Sequence, residues 1–162
     1  MNAASEHRLK EVYPPLAEAV RAMHEQLLNE DIIIRVTSGY RSFAEQQKLF
    51  NRGRTTAGSI VTNARPGHSM HNFGLAVDLA PGILGAHPWR PDWNDASPSW
   101  EAMMVLGEAL GLECGGRWKN FPDKPHFQWG HLPKSPTNAM RADYREGGLE
   151  LVWHRVSIRE YV

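Results

Sequence analysis

The residues with the clearest chemical potential fall in two short segments, Ser69-Met-His-Asn-Phe-Gly-Leu-Ala-Val-Asp78 and Phe121-Pro-Asp-Lys-Pro-His-Phe-Gln-Trp129. A catalytic zinc ion takes three protein ligands and keeps a fourth position for water. His71, Asp78 and His126 supply two imidazoles and one carboxylate, a set that leaves the centre with a net positive charge. That charge is what acidifies water near neutral pH, and a thiolate-rich site would cancel it. Asp123 stands three residues before His126, with Pro125 between them making the segment extended rather than helical. A carboxylate there is placed to take a proton from the attacking water and deliver it to a leaving amine, as amide hydrolysis requires.

Arg41, in Ser38-Gly-Tyr-Arg-Ser42, is not a metal ligand. Its guanidinium suits a substrate carboxylate or a developing oxyanion, and Gln46 one turn further along can assist. Ser69 and His68 adjoin the first ligand and are candidate substrate contacts. Each residue alone has an ordinary explanation: a loop hydrogen bond, a turn aspartate, a surface arginine. Their order and company favour the metal reading. Ser69, His71 and Asp78 read as a serine-hydrolase triad fail on context, because no strand-turn-helix elbow surrounds Ser69.

The elements that must position these residues follow from periodicity. Leu16, Val20, Met23 and Leu27 predict an amphipathic helix over 14–29, opened by Pro14 and Pro15, with His24 on its surface. Ile32 to Thr37 predicts a strand. Ser42 and Glu45 have capping-box spacing and open a helix that Gly53 can stop. On it Gln46 shares a face with Phe43 and Phe50, so its amide needs a buried partner. Leu75 to Ala80 alternates as a strand, with Ala76, Asp78 and Ala80 to one side. Ser97-Pro98 opens a helix ended by Gly111, and Leu112–Cys114 and His126–Trp129 are short strands. Residues 54–75 and 81–98 are long loops. Trp89 and Trp93 are candidates for a rim against peptide or sugar, whereas Trp100 and Trp118 are expected in the core. The tail predicts a helix from Thr137 to Glu146 and a strand from Leu149 to Val156.

Composition bounds the rest. With 162 residues, 41% of them hydrophobic and 22% charged, the chain suits one soluble domain over 1–162. Eighteen basic residues balance eighteen acidic ones, which gives no electrostatic case for nucleic acid or anionic lipid. Cys114 is the single cysteine, so an internal disulfide is excluded. The N-terminal segment has no apolar core of a secretory signal, and no apolar run approaches the roughly 20 residues that cross a bilayer. Synthesis in the cytosol without a signal peptide, no membrane insertion and a monomer are expected.

The Ser-x-His-x-x-Gly-x-Ala-x-Asp pattern over Ser69–Asp78 resembles the signature of peptidase family M15, the D-alanyl-D-alanine peptidases, and Asp123-Lys-Pro-His126 resembles that family's acid-x-x-His segment. Ser38–Ser42 with Gln46 and Leu49, Pro66–Asp78 and Gly111–Trp129 are similar to the branch of phage endolysins that are L-alanyl-D-glutamate peptidases, and to related bacterial wall hydrolases. The resemblance covers about residues 30–130. It implies an α+β fold, related to hedgehog domains, in which a small antiparallel sheet carries Zn2+ on one face and helices pack on the other. It implies His71, Asp78 and His126 as ligands, Asp123 as base and Arg41 on the substrate side. The substrate implied is the peptidoglycan stem peptide, cut between L-alanine and D-glutamate. The host cytoplasm would be the place of synthesis, with a separate membrane pore giving access to the wall. Rivals within reach of the same residues are a D-Ala-D-Ala carboxypeptidase or dipeptidase and a non-catalytic zinc-stabilised wall-binding module. Cys114, Arg117 and Gln128 depart from common family choices, and the tail 133–162 lies outside the pattern as a helix and strand expected to pack on the core.

Overall fold

The computed structural model describes residues 1–161. Its sheet has four strands, β1 (Ile34–Ser38), β2 (Ala76–Pro81), β3 (Leu112–Cys114) and β4 (His126–Trp129). They are ordered β1-β2-β4-β3, with every neighbouring pair antiparallel. Alternation divides the sheet into two faces. Val77, Leu79 and Phe127 join the buried core. Asp78 lies directly opposite His126, Ala76 opposite Gln128, and Glu113 of β3 opposite Gln128. Polar residues of three strands therefore share one face, while the apolar face takes the helices. This is the α+β arrangement expected from the sequence.

The helices are α1 (Ala3–Arg8), α2 (Pro14–Leu28), α3 (Phe43–Asn51), α4 (Pro98–Ala109) and α5 (Asn138–Ser157). Trp100 and Met103 of α4 and Leu16, Val20, Met23 and Leu27 of α2 are buried in the core. Helix α4 lies so close to the sheet that a Cβ on Gly107 would meet the Phe127 ring at 2.8 Å. Ser42 caps α3 and forms the capping box with Glu45 that the spacing predicts. Helix α1 was not foreseen. Its buried Ser5 accepts the backbone N–H of Val36 at 3.1 Å, so this short helix covers the outer edge of β1.

Three expectations change. His24 is buried, not on the surface: it follows Val20 by one turn and widens the apolar stripe, and burial lowers its pKa from the ordinary value. The segment Leu149–Val156 is helix, not strand. Leu149, Val152, Trp153 and Val156 fall at helical spacing, and the Gly147-Gly148 break is only a kink, with Gly148 at φ 64°. Trp89 and Trp93 form no rim at the polar face. Trp89 donates its indole N–H to the Ile33 carbonyl at 3.3 Å, and Trp93 stacks on Trp100 with centroids 6.0 Å apart. No helix among the described residues is long and apolar enough to cross a membrane.

Candidate metal centre and cleft

His71 sits in a 3-10 turn, Met70–Phe73, that ends at Gly74 with φ 64°. That conformation favours glycine, and a Cβ there would also lie 2.5 Å from the Glu11 carbonyl oxygen. The turn returns the chain into β2, so His71 faces Asp78 seven residues later. The imidazole Nε2 of His71 is 3.2 Å from Asp78 Oδ1, and Nδ1 of His126 is 3.6 Å from the same oxygen. One donor atom from each of the three side chains lies within 4.8 Å of the others.

The second nitrogen of each imidazole is engaged. His71 Nδ1 donates to the Gly39 carbonyl at 2.8 Å, and Nε2 is the atom that faces Asp78. Nε2 of His126 lies 3.0 Å from Gln128 Oε1, and Nδ1 is the atom turned to the cluster. Outer hydrogen bonds of this kind orient metal-binding histidines, so the donor set and its supports fit a Zn2+ ion.

Electrostatics follow from this crowding. Burial alone would raise the Asp78 pKa. The charge of His71 and hydrogen bonds from His126 and His71 outweigh it and hold the carboxyl below its ordinary range. Burial likewise opposes the charge on His126, but Asp78 beside it raises the pKa. Asp123 shifts the other way: the residue is exposed, yet the crowding of its carboxyl against the cleft, then the negative charge of Asp78, push it above the usual value.

Asp123 is held by two backbone bonds. Its N–H donates to the Gly115 carbonyl at 3.0 Å, and its carbonyl accepts from His126 N–H at 3.1 Å. Arg41 approaches from the β1 side. Nη1 donates to Gln46 Oε1 at 3.0 Å and Nη2 to Ser38 Oγ at 3.0 Å, while Nη2 is 3.5 Å from Asp78 Oδ2. Asp78 thus turns one oxygen to the histidines and the other to the arginine.

His71, Asp78, His126, Asp123 and Arg41 all line one cleft of about 960 Å³, together with His68 and Ser69. Gln46 does not line it. It is fully buried and gives its amide N–H to the Ala64 carbonyl at 2.8 Å, so it braces Arg41 from behind. Trp118, expected in the core, lines the cleft instead, with its ring 5.1 Å from that of His126. Cys114 takes no part. It is buried against the Met104 carbonyl, and burial pushes its thiol up to about 12.

Sequence reasoning gave no role to Asn72 or Glu113, and treated Gln128 only as a departure from a family preference. Asn72 is fully buried beside His71 and bonds the backbone at both Arg41 and Gly67. For Gln128 a signal existed: it follows His126 by two positions on a strand, which puts both on one face.

Two imidazoles and a carboxylate from a turn and two paired strands, open to a cleft holding a separate acid and a guanidinium, are the layout of a single-ion hydrolase centre. The chain belongs to peptidase family M15: residues 62–129 match the family described as D-alanyl-D-alanine carboxypeptidase. It is 36% identical over 122 residues to the peptidoglycan L-alanyl-D-glutamate endopeptidase CwlK of Bacillus subtilis (strain 168), covering 73% of this chain and 73% of that protein. The fold is similar to the crystal structure of Serratia marcescens L-Ala D-Glu endopeptidase ChiX, with a TM-score of 0.54 and 25% identity over 91% of this chain and 92% of that one. It also shares the fold of the LdcB LD-carboxypeptidase, with a TM-score of 0.58 at 16% identity over 88% of this chain and 68% of that one.

Proposed function

We propose that the chain is a zinc-dependent peptidoglycan peptidase that hydrolyses the stem peptide between L-alanine and D-glutamate. The observation that carries this is the convergence of His71, Asp78 and His126 in the cleft that also holds Asp123 and Arg41. The choice of bond is supported by likeness to CwlK and ChiX, both named for that cleavage. The lining supports an anionic substrate. Among the described residues, Asp78 and Asp123 are its only carboxylates, against Arg41, Arg117, Lys119 and Lys134. Lys119 and Lys134 have no hydrogen-bond or ion-pair partner among the described residues, whereas Arg117 is tied to Glu101 and Glu108.

In this reading His71, Asp78 and His126 hold the ion, which supplies positive charge that makes water a stronger acid near neutral pH. Asp123 removes the proton from the attacking water and delivers it to the departing amine. Arg41, fixed by Gln46 and Ser38, presents guanidinium N–H groups to a substrate carboxylate or to the oxygen that gains charge. Ser69 and His68 contact the substrate backbone along the cleft wall. The cellular setting we infer is that of an endolysin, made in a host cytoplasm and reaching the wall through a separate membrane pore.

Digestion of purified peptidoglycan with mass analysis of the products tests this. New amino termini on D-glutamate, abolished by a chelator and restored by zinc, are expected. Released D-alanine would instead identify a carboxypeptidase or dipeptidase. Zinc binding without cleavage of any wall preparation would leave a binding module.

A further inference from the structure

Behind His126, on the polar face of the sheet, a hydrogen-bonded chain runs through three more side chains. Gln128 is 1% exposed and sits opposite Glu113 across β3 and β4. Its amide Nε2 donates to Glu113 Oε2 at 3.3 Å, and its Oε1 is 3.0 Å from His126 Nε2. The other carboxylate oxygen, Glu113 Oε1, accepts the indole N–H of Trp118 at 2.7 Å.

A glutamine alone could present either end of its amide, and an imidazole could carry its hydrogen on either nitrogen. Here the far end decides. A carboxylate only accepts and an indole N–H only donates. Glu113 therefore compels Gln128 to turn its NH2 outward to the carboxylate and its carbonyl oxygen inward. His126 must then bear a hydrogen on Nε2, which leaves Nδ1, the atom facing Asp78, as the nitrogen whose proton a cation can replace.

We propose that Glu113 is a positioning residue for the metal centre. Acting through Gln128, with Trp118 holding its other oxygen, it selects the tautomer of His126 that can bind a cation. The proposal rests on the metal reading above. It extends that reading to a residue two side chains removed from the ligand.

The donor and acceptor rule also says what a change would do. In Glu113→Gln, the indole N–H of Trp118 claims the new amide's oxygen, so its NH2 faces Gln128. Gln128 must flip, its own NH2 then meets Nε2 of His126, and the hydrogen moves to Nδ1, where it blocks the ion. In Gln128→Glu, two carboxylates face each other with no hydrogen between them. In the double variant Glu113→Gln/Gln128→Glu, the amide at 113 donates to the carboxylate at 128, which accepts from Nε2 again, and the original tautomer returns.

Two measurements on the full chain test this. Nitrogen-15 NMR of the imidazoles in the metal-free protein reads the hydrogen on each nitrogen of His126 directly; hydrogen on Nε2 is expected in the parent, whatever Nδ1 carries toward Asp78, and none on Nε2 in Glu113→Gln. Chelator competition with zinc should show about 10- to 100-fold weaker binding in Glu113→Gln, with most of it recovered in the double variant. No hydrogen on Nε2 in the parent, unchanged zinc affinity in Glu113→Gln, or a double variant no better than Glu113→Gln overturns the proposal. A parent that binds no zinc overturns the metal reading instead, and the tautomer spectrum still decides the role of Glu113.

Discussion

Asn72 holds Arg41 by its backbone: the side-chain amide donates to the Arg41 carbonyl at 2.8 Å, while its oxygen accepts the N–H of Gly67 at 2.9 Å. Since Arg41 N–H also donates to the His71 carbonyl at 3.0 Å, the guanidinium is tied to the same turn that carries a proposed metal ligand.

Asn72→Ala leaves a buried carbonyl and a buried N–H without partners, at a cost of about 1–3 kcal/mol. The melting temperature should fall, and turnover per folded molecule should fall with it while zinc content is retained. Calorimetry alongside wall digestion checks both. A lower melting temperature with unchanged turnover would show that Arg41 keeps its position without this strut.

Asp123→Asn removes the proton acceptor and should lower turnover by about 10²- to 10⁴-fold, with zinc still bound by metal analysis. A pH signature accompanies it in the metal-free protein. The Asp123 pKa is raised on folding, so the folded form keeps this proton to higher pH than the unfolded chain does. Stability from this group is present at low pH and is lost as pH rises through the folded midpoint. Asp123→Asn lacks that loss. Relative to the parent it should gain stability at neutral pH compared with below about pH 4, and denaturant melts at the two pH values measure the difference. A cation nearby favours the charged form, so adding zinc to the parent should move the carboxyl titration downward.

Gly115→Ala probes the approach of the base to the ligand. A Cβ at Gly115 would lie 2.5 Å from the Asp123 carbonyl oxygen and 2.9 Å from the Cβ of His126. Such overpacking typically costs about 1–3 kcal/mol. The change should depress activity more than stability, because it displaces base and ligand together. Equal turnover in the variant would mean that the 123–126 turn shifts as a unit without harm.

The proposed ligands were legible because their types are uncommon in combination and because alternation along Ala76–Ala80 assigned Asp78 a face before any pairing was known. The antiparallel partnership of β2 and β4 then brought His126 opposite it. The supports of the site were less legible. Asn72 and Glu113 are ordinary polar residues in local sequence, and their meaning appears only when separate segments meet. Gln46 was read correctly as needing a partner, but its full burial makes it a brace rather than a contact. The tryptophans of the 81–98 loop carried no periodicity to orient them. The tail misled for the opposite reason: Gly147-Gly148 reads as a terminator, yet the helical stripe resumes immediately beyond it.

That kink lets α5 grip the His71 turn from two directions. Before it, Tyr144 stacks on Phe43 with centroids 4.9 Å apart and meets Phe73 edge-on at 5.6 Å. After it, Trp153 donates to the Phe73 carbonyl at 2.8 Å. The smallest excisable unit that could still work therefore extends well past the matched stretch ending at residue 129. A truncation drawn at that border would keep all three proposed ligands and discard the clasp on one of them.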